Sequence, residues 1–252
     1  MKTSTKLIII LFTCIPVSLL AYNFILKAEY QKGNFVRDLY PQDNTSYIIK
    51  PGLPDFKHIV IEGSLNLGEG RSETWMARVW IGGNNATQKS GNSLSVIEEL
   101  KDNLNATVKH DTLFISFHVT GKFDNTATTW NHGNDIVKIY CSQVKSVSIR
   151  YANVTIGNNP GTADFLKLIV GDGSNYNIQR LHLKSLAVIA KDSSYLNILK
   201  NNQIGTLSYS LQGKSTLNVD ENPARQYIAE RVDSAAKIQL TGKASVLQKQ
   251  LR

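Results

Sequence analysis

The chain is poor in the residues from which most catalytic and metal sites are built. Its 252 residues include two cysteines and five histidines. Cys14 falls inside an apolar N-terminal run, so Cys141 alone remains in the body and no disulfide can close there. Cys141 has no obvious base partner to activate it. His58, His110, His118, His132 and His182 are scattered without ligand spacing, so no metal is expected. There is no Gly-x-Ser-x-Gly elbow, Walker loop or dinucleotide fingerprint; Gly171-Asp172-Gly173-Ser174 reads as a turn rather than a phosphate cradle. Aromatic and basic residues do not interleave, which argues against nucleic acid. No catalytic residue and no cofactor is expected.

Charge is present but one-sided, at a net +8. Part of it sits at Lys237, Lys243, Lys249 and Arg252, beyond the last acid, Asp233. Such an end can rest on anionic lipid or acidic polysaccharide, or form an ordinary solvated surface.

One long hydrophobic run is present, Leu7 to Leu26, 20 residues without a charge. At 1.5 Å per residue it matches a hydrocarbon slab of about 30 Å. Lys2 and Lys6 before it also suit a signal peptide, but Leu19-Leu20-Ala21 is a poor cleavage site and apolar residues continue past it. Residues 1–27 are therefore expected to be an uncleaved transmembrane signal-anchor. The charges around it favour a cytoplasmic N-terminus, a single pass and a body on the extracytoplasmic side.

Residues 28–54 are polar and turn-rich, with Pro41-Gln42-Asp43-Asn44 and Pro51-Gly52-Leu53-Pro54, and read as a tether or cap. Residues 55–252 form the body. Its first strands are Phe56–Gly63 and Trp75–Ile81, and Ser95–Asp102 reads as a short helical turn. Ala106–Val108 and Thr112–Phe117 look like two strands joined tightly through Lys109-His110-Asp111.

The C-terminal half is regular. Leu168-Ile169-Val170 then Tyr176-Asn177-Ile178, Val188-Ile189-Ala190 then Leu196-Asn197-Ile198, and Tyr209-Ser210-Leu211 then Leu217-Asn218-Val219 share one plan. Asn177, Asn197 and Asn218 are 20 and 21 residues apart, and Val147-Ser148-Ile149 precedes Leu168 by the same step. Repeats of this length stack as coils, with equivalent side chains in columns. The three Asn either ladder along the stack or bond their own turns. Asp220–Val232, with Pro223, reads as a loop or short helix. Ile238-Gln239-Leu240 then resumes the pattern of Tyr209-Ser210-Leu211 at an offset of 29.

Phe56–Gly63, Asn105–Ile115, Val137–Tyr140 and Val144–Ser148 together resemble successive strands of the head-GIN domain, an autotransporter adhesin-like family of unknown function. The resemblance spans roughly residues 56–247. It implies a single-stranded right-handed parallel β-helix, an all-β solenoid exposed outside the cytoplasm, and it carries over no catalytic residues. Two segments depart from the pattern: Gly63–Ser93, longer and richer in Trp, and Asp220–Val232.

Parallel β-helices also host polysaccharide lyases and hydrolases, which need clustered carboxylates near a cation. Asp172 and Asp192, 20 residues apart with Lys191 beside them, are the one such pair, and both lie in turns where Asp is common. Trp75, Trp80 and Trp130 can stack on sugar rings where exposed, or pack a core. The expected function is a non-catalytic, membrane-anchored, adhesin-like module binding envelope glycan or protein. The alternatives are a carbohydrate-active enzyme working through Asp172, Asp192 and Lys191, and a purely architectural spacer.

Overall fold

Apolar and polar residues alternate through most of the body, and that period-two pattern folds as strand. The structure, a computed structural model, describes residues 3–31, 46–68, 71–74, 76–83, 91–118, 135–160, 164–221 and 223–242. The chain divides between Thr45 and Ser46 into two units. The first holds a helix, α1 (Thr3–Gln31).

The second holds the strands β1 (Tyr47–Leu53), β2 (His58–Gly68), β3 (Arg71–Thr74), β4 (Ala77–Gly82), β5 (Asn92–Ile97), β6 (Leu104–Lys109), β7 (Thr112–His118), β8 (Val137–Tyr140) and β9 (Ser146–Arg150). After these come β10 (Ala152–Gly157), β11 (Phe165–Val170), β12 (Asn175–Gln179), β13 (His182–Ala190), β14 (Tyr195–Ile198), β15 (Gln203–Leu211), β16 (Thr216–Asp220), β17 (Ala224–Val232) and β18 (Lys237–Thr241).

Two sheets result. The first runs β1-β5-β8-β4-β10-β12-β14-β16-β18, and the second β17-β15-β13-β11-β9-β2-β7-β6, with β3 on β2. From β9 onward the chain alternates between them, and from β11 each strand pairs in parallel with the one two earlier. Columns of inward side chains follow from this register. Val147, Leu168, Val188 and Tyr209 stack on the second sheet, and Val154, Tyr176, Leu196 and Leu217 on the first. All eight are buried. At about 1.5–3 kcal/mol for each fully buried aliphatic or aromatic side chain, these columns are the main source of stability.

From β11 onward the turns that carry the chain from the second sheet back to the first have four residues each and end on Ser174, Ser194, Ser215 and Ala236. In every one the last N–H donates to the carbonyl three residues earlier. The three serines are buried. Ser174 Oγ accepts from Ala152 N and donates to the Asp172 carbonyl, and Ser194 Oγ donates to the Lys191 carbonyl.

A single parallel β-helix over residues 55–252 is not what forms. Both sheets are mixed and neither closes into a barrel. β5 runs antiparallel to β1 and to β8, β3 to β2, and β6 to β7. The cause is visible at the β6–β7 turn. His110 and Asp111 have φ of 45° and 60°, the two left-handed residues of a tight hairpin. A chain reversed in two residues can pair only antiparallel.

The transmembrane helix is also corrected. Among the described residues no helix is long and apolar enough to cross a membrane. In the described part of α1, Phe12, Leu19, Leu20, Phe24 and Ile25 are interspersed with Thr13, Pro16, Ser18, Asn23 and Lys27. The signal-anchor reading falls with the span.

Three local expectations change as well. Val96 and Ile97 belong to β5, and only Glu98–Leu100 forms a 3-10 turn. Ala224–Val232 is strand rather than loop or helix, pairing Leu207 with Tyr227, and a bulge after Tyr209 absorbs one extra residue. Ile238 consequently stacks on Leu217 in the first sheet, not in the strand type of Tyr209.

Candidate functional site

The carboxylates suggested by sequence are committed to structure. Asp172 lies 3.9 Å from the Arg150 guanidinium, which also reaches Glu62 at 3.7 Å. Asp192 Oδ1 accepts the Lys214 backbone N–H at 3.1 Å. It also occupies the space beside Gly213, where an added Cβ would fall 1.5 Å from it. Among the described residues no hydrogen bond or ion pair joins Asp172 to Asp192 or brings Lys191 to either, and none joins Trp80 to them. Their spacing of 20 reflects equivalent turns, not a shared site.

The histidines and Cys141 are likewise dispersed. His58 Nδ1 meets Ser146 Oγ at 2.7 Å, and His182 Nδ1 meets Gln203 Oε1 at 3.1 Å. No group of three potential metal ligands occurs among the described residues. Cys141 is fully buried, and burial pushes its thiol far up, so it carries no thiolate near neutral pH.

The feature that stands out is the outer face of the first sheet. One row of outward side chains crosses it from strand to strand: Trp80, Thr155, Asn177, Asn197, Asn218 and Gln239 occupy register-matched positions on β4, β10, β12, β14, β16 and β18. The amides form a ladder. Asn197 Nδ2 donates to Asn177 Oδ1 at 3.3 Å, and Asn218 Nδ2 to Asn197 Oδ1 at 2.8 Å. Alternation turns Asn outward because the residues on either side, Tyr176 and Ile178 or Leu196 and Ile198, are buried.

Aromatic side chains flank the ladder. The Trp80 indole lies along the sheet over Gly82, close enough that a Cβ there would fall 1.9 Å from the ring. Its ring centroid is 5.1 Å from that of Tyr140, tilted by 56°. Tyr195, 36% exposed, stands two residues before Asn197 on β14. Beyond Trp80 the row continues to Lys138, whose ammonium sits 3.9 Å over the Tyr47 ring. Tyr47 is itself tied to the Asp135 carbonyl at 2.7 Å. Burial raises the Asp135 carboxyl pKa, with Arg78 and Lys138 pulling it back.

The neighbouring rows carry charge only towards their ends. Asn153, Asn175, Tyr195 and Thr216 form the middle of one, which ends on Arg78 in β4 and Lys237 in β18, and Gly157 with Gln179 opens the other. Across β10, β12, β14 and β16 the outward side chains include a single ionisable acid, Asp220, and no cation. Sequence reading identified the three Asn and Trp80 but did not place them in one row. β4 comes from the segment in which the chain departs from the head-GIN pattern, and only its insertion between β8 and β10 aligns Trp80 with the ladder. Trp75 and Trp130 lie outside the described residues.

No protein-family model matches the chain, so the head-GIN resemblance stands on strand patterns alone. No curated protein matches its sequence. Several solved structures are similar in part. A candidate adhesin from Bacteroides fragilis is 14% identical with a TM-score of 0.47, over 78% of this chain and 98% of that one. A candidate adhesin from Parabacteroides distasonis is 14% identical with a TM-score of 0.35, over 79% and 95%. A candidate lipid-binding protein from the same species is 14% identical with a TM-score of 0.32, over 79% and 96%. At these values neither a family nor an activity passes from them to this chain.

Proposed function

We propose that the chain is a non-catalytic, adhesin-like binding module that holds its ligand on the outer face of the first sheet. One observation carries the reading: a rigid, in-register row of amides and hydroxyls running on from Trp80, across four central strands whose outward positions hold no cation. Side chains fixed to a hydrogen-bonded sheet lose little freedom on binding, so weak polar contacts repeated along a row add up. The enzyme reading has no comparable support, because Asp172 and Asp192 are engaged with Arg150 and with the Lys214 amide.

Two measurements on the purified chain test this. It should adhere to bacterial envelope preparations and release no reducing ends from polysaccharides, acidic ones included. Turnover that disappears in an Asp172→Asn, Asp192→Asn double variant would replace the module with an enzyme.

A further inference from the structure

We infer that the ligand of this face is an extended, uncharged polysaccharide chain lying across the strands, from Trp80 towards Gln239. The inference rests on the binding-module reading and adds the chemical class of the ligand.

Charge selects the class first. The protein carries a net +8, yet the outward positions of β10, β12, β14 and β16 hold no cation. The cations of this face stand at its two ends, Arg78 and Lys138 beside the Asp135 carboxyl and Lys237 on β18. An acidic glycan, a phosphate-bearing lipid or a nucleic acid would therefore lie across four central strands with nothing to neutralise it. A protein partner fits no better. Protein interfaces centre on a cluster of desolvated aromatic and apolar side chains with arginine, whereas this face sets Trp80 and Tyr195 three strands apart with amides and hydroxyls between them.

Hydroxyl-rich, uncharged ligands fit what is present. Each Asn in the ladder commits one donor or acceptor to each neighbour, and an amide has two N–H groups and two carbonyl lone pairs. Asn197, bonded on both sides, therefore keeps one N–H and one lone pair for a ligand. A sugar ring needs both, since its hydroxyls donate and accept. Its C–H face needs an aromatic plane, and the sheet supplies two, Trp80 in the row and Tyr195 in the neighbouring row. The Trp80 ring covers Gly82, and Tyr195 stands on β14, three strands further along. At roughly 4.8 Å per strand the two are about 14 Å apart along the stack. Between them each strand contributes one amide or hydroxyl to the row, Thr155 and then Asn177. A polymer with one sugar per comparable step meets the same chemistry repeatedly; a single sugar does not.

The test is affinity electrophoresis of the full chain through gels containing mixed-linkage β-glucan, xylan or galactomannan, with polygalacturonate and alginate as acidic counterparts. Retardation by at least one neutral polymer and by neither acidic one is expected, and raised salt should not abolish it. Tyr195→Ala removes an exposed ring, and Thr155→Lys puts a cation into the row. Each should weaken retardation by on the order of tenfold, about the effect of one lost stacking or hydrogen-bonded contact. Thermal melts of both variants separate lost binding from lost folding.

Retention by the acidic polymers alone overturns the inference, as does neutral retention unchanged in both folded variants. Adhesion to envelope preparations that protease treatment removes, with no retardation by any neutral polymer, sinks the polysaccharide and leaves the binding module standing. Failure to bind any polymer or envelope preparation sinks both.

Discussion

Asn218 donates its side-chain amide to Asn197 across 2.8 Å, between two strands 21 residues apart in sequence. This bond and its neighbour at 3.3 Å tie three windings together outside the core. They also have an end: among the described residues the buried Asn218 Oδ1 has no hydrogen-bond partner.

Asn197→Ala should therefore be more costly than an ordinary surface change. It removes two bonds and leaves Asn177 Oδ1 and Asn218 Nδ2 without this partner, a loss of about 1–3 kcal/mol. For a protein of this size that lowers Tm by roughly 2–4 °C per kcal/mol, readable in a thermal melt. Gln239→Asn should act in the opposite sense. Gln239 is in register with Asn218, and the shorter amide extends the ladder by one rung, stabilising by about 0.5–1.5 kcal/mol.

Two equivalent turns make a pair of opposite predictions. Gly213 has φ of 57°, with the Asp192 carboxylate against it. Gly213→Ala places a Cβ in the left-handed region and displaces that carboxylate, costing about 1–2 kcal/mol. Ser193 holds nearly the same backbone, φ 55°, without being glycine. Ser193→Gly should be neutral or stabilising by up to about 1 kcal/mol in denaturant unfolding.

Asp233 predicts a pH dependence. Its carboxylate accepts the Gly213 N–H at 3.0 Å and is bonded by Arg231, and in that order these hold its pKa below the ordinary 3.8. A folded-state value under the unfolded one adds stability above the unfolded pKa, and that stability is lost as pH falls through the folded pKa. Asp233→Asn should flatten the acidic limb of a Tm-against-pH profile below about pH 4 and change its shape little near neutrality.

The cysteines separate by exposure. Cys14 is exposed and Cys141 buried. A thiol reagent should modify one cysteine rapidly in the native chain and the second only on unfolding. Fast labelling of Cys141 in the folded protein would contradict the packing of β8 against β4 described above.

Part of this was legible in sequence. Alternation placed Leu168, Val188 and Ile198 in the core, and the Asn spacing marked a ladder as one of two readings, because both features repeat locally. The antiparallel start was half legible: the tight junction at Lys109-His110-Asp111 marked the β6–β7 hairpin, but the course of β5 was hidden. Whether β5 runs with or against β8 depends on how residues far apart in sequence meet, and no local period records it. Ala224–Val232 was obscured by Pro223 and by Arg225, Glu230 and Arg231 on an edge strand of the second sheet, where outward charge is ordinary. The row from Trp80 to Gln239 required knowing that β4 sits beside β10, a neighbour 75 residues away by register. The buried serines of the turns had a signal in their 20- and 21-residue spacing, overlooked because Ser is common in turns.

The most direct measurement compares one added charge on each sheet's outer face. Thr155→Lys alters the first sheet, and Ile228→Lys alters the second, where Ile228 is 41% exposed on β17. With both variants folded, adhesion to envelope preparations should fall for Thr155→Lys and persist for Ile228→Lys. Equal loss in both, or loss confined to Ile228→Lys, would place the binding surface elsewhere.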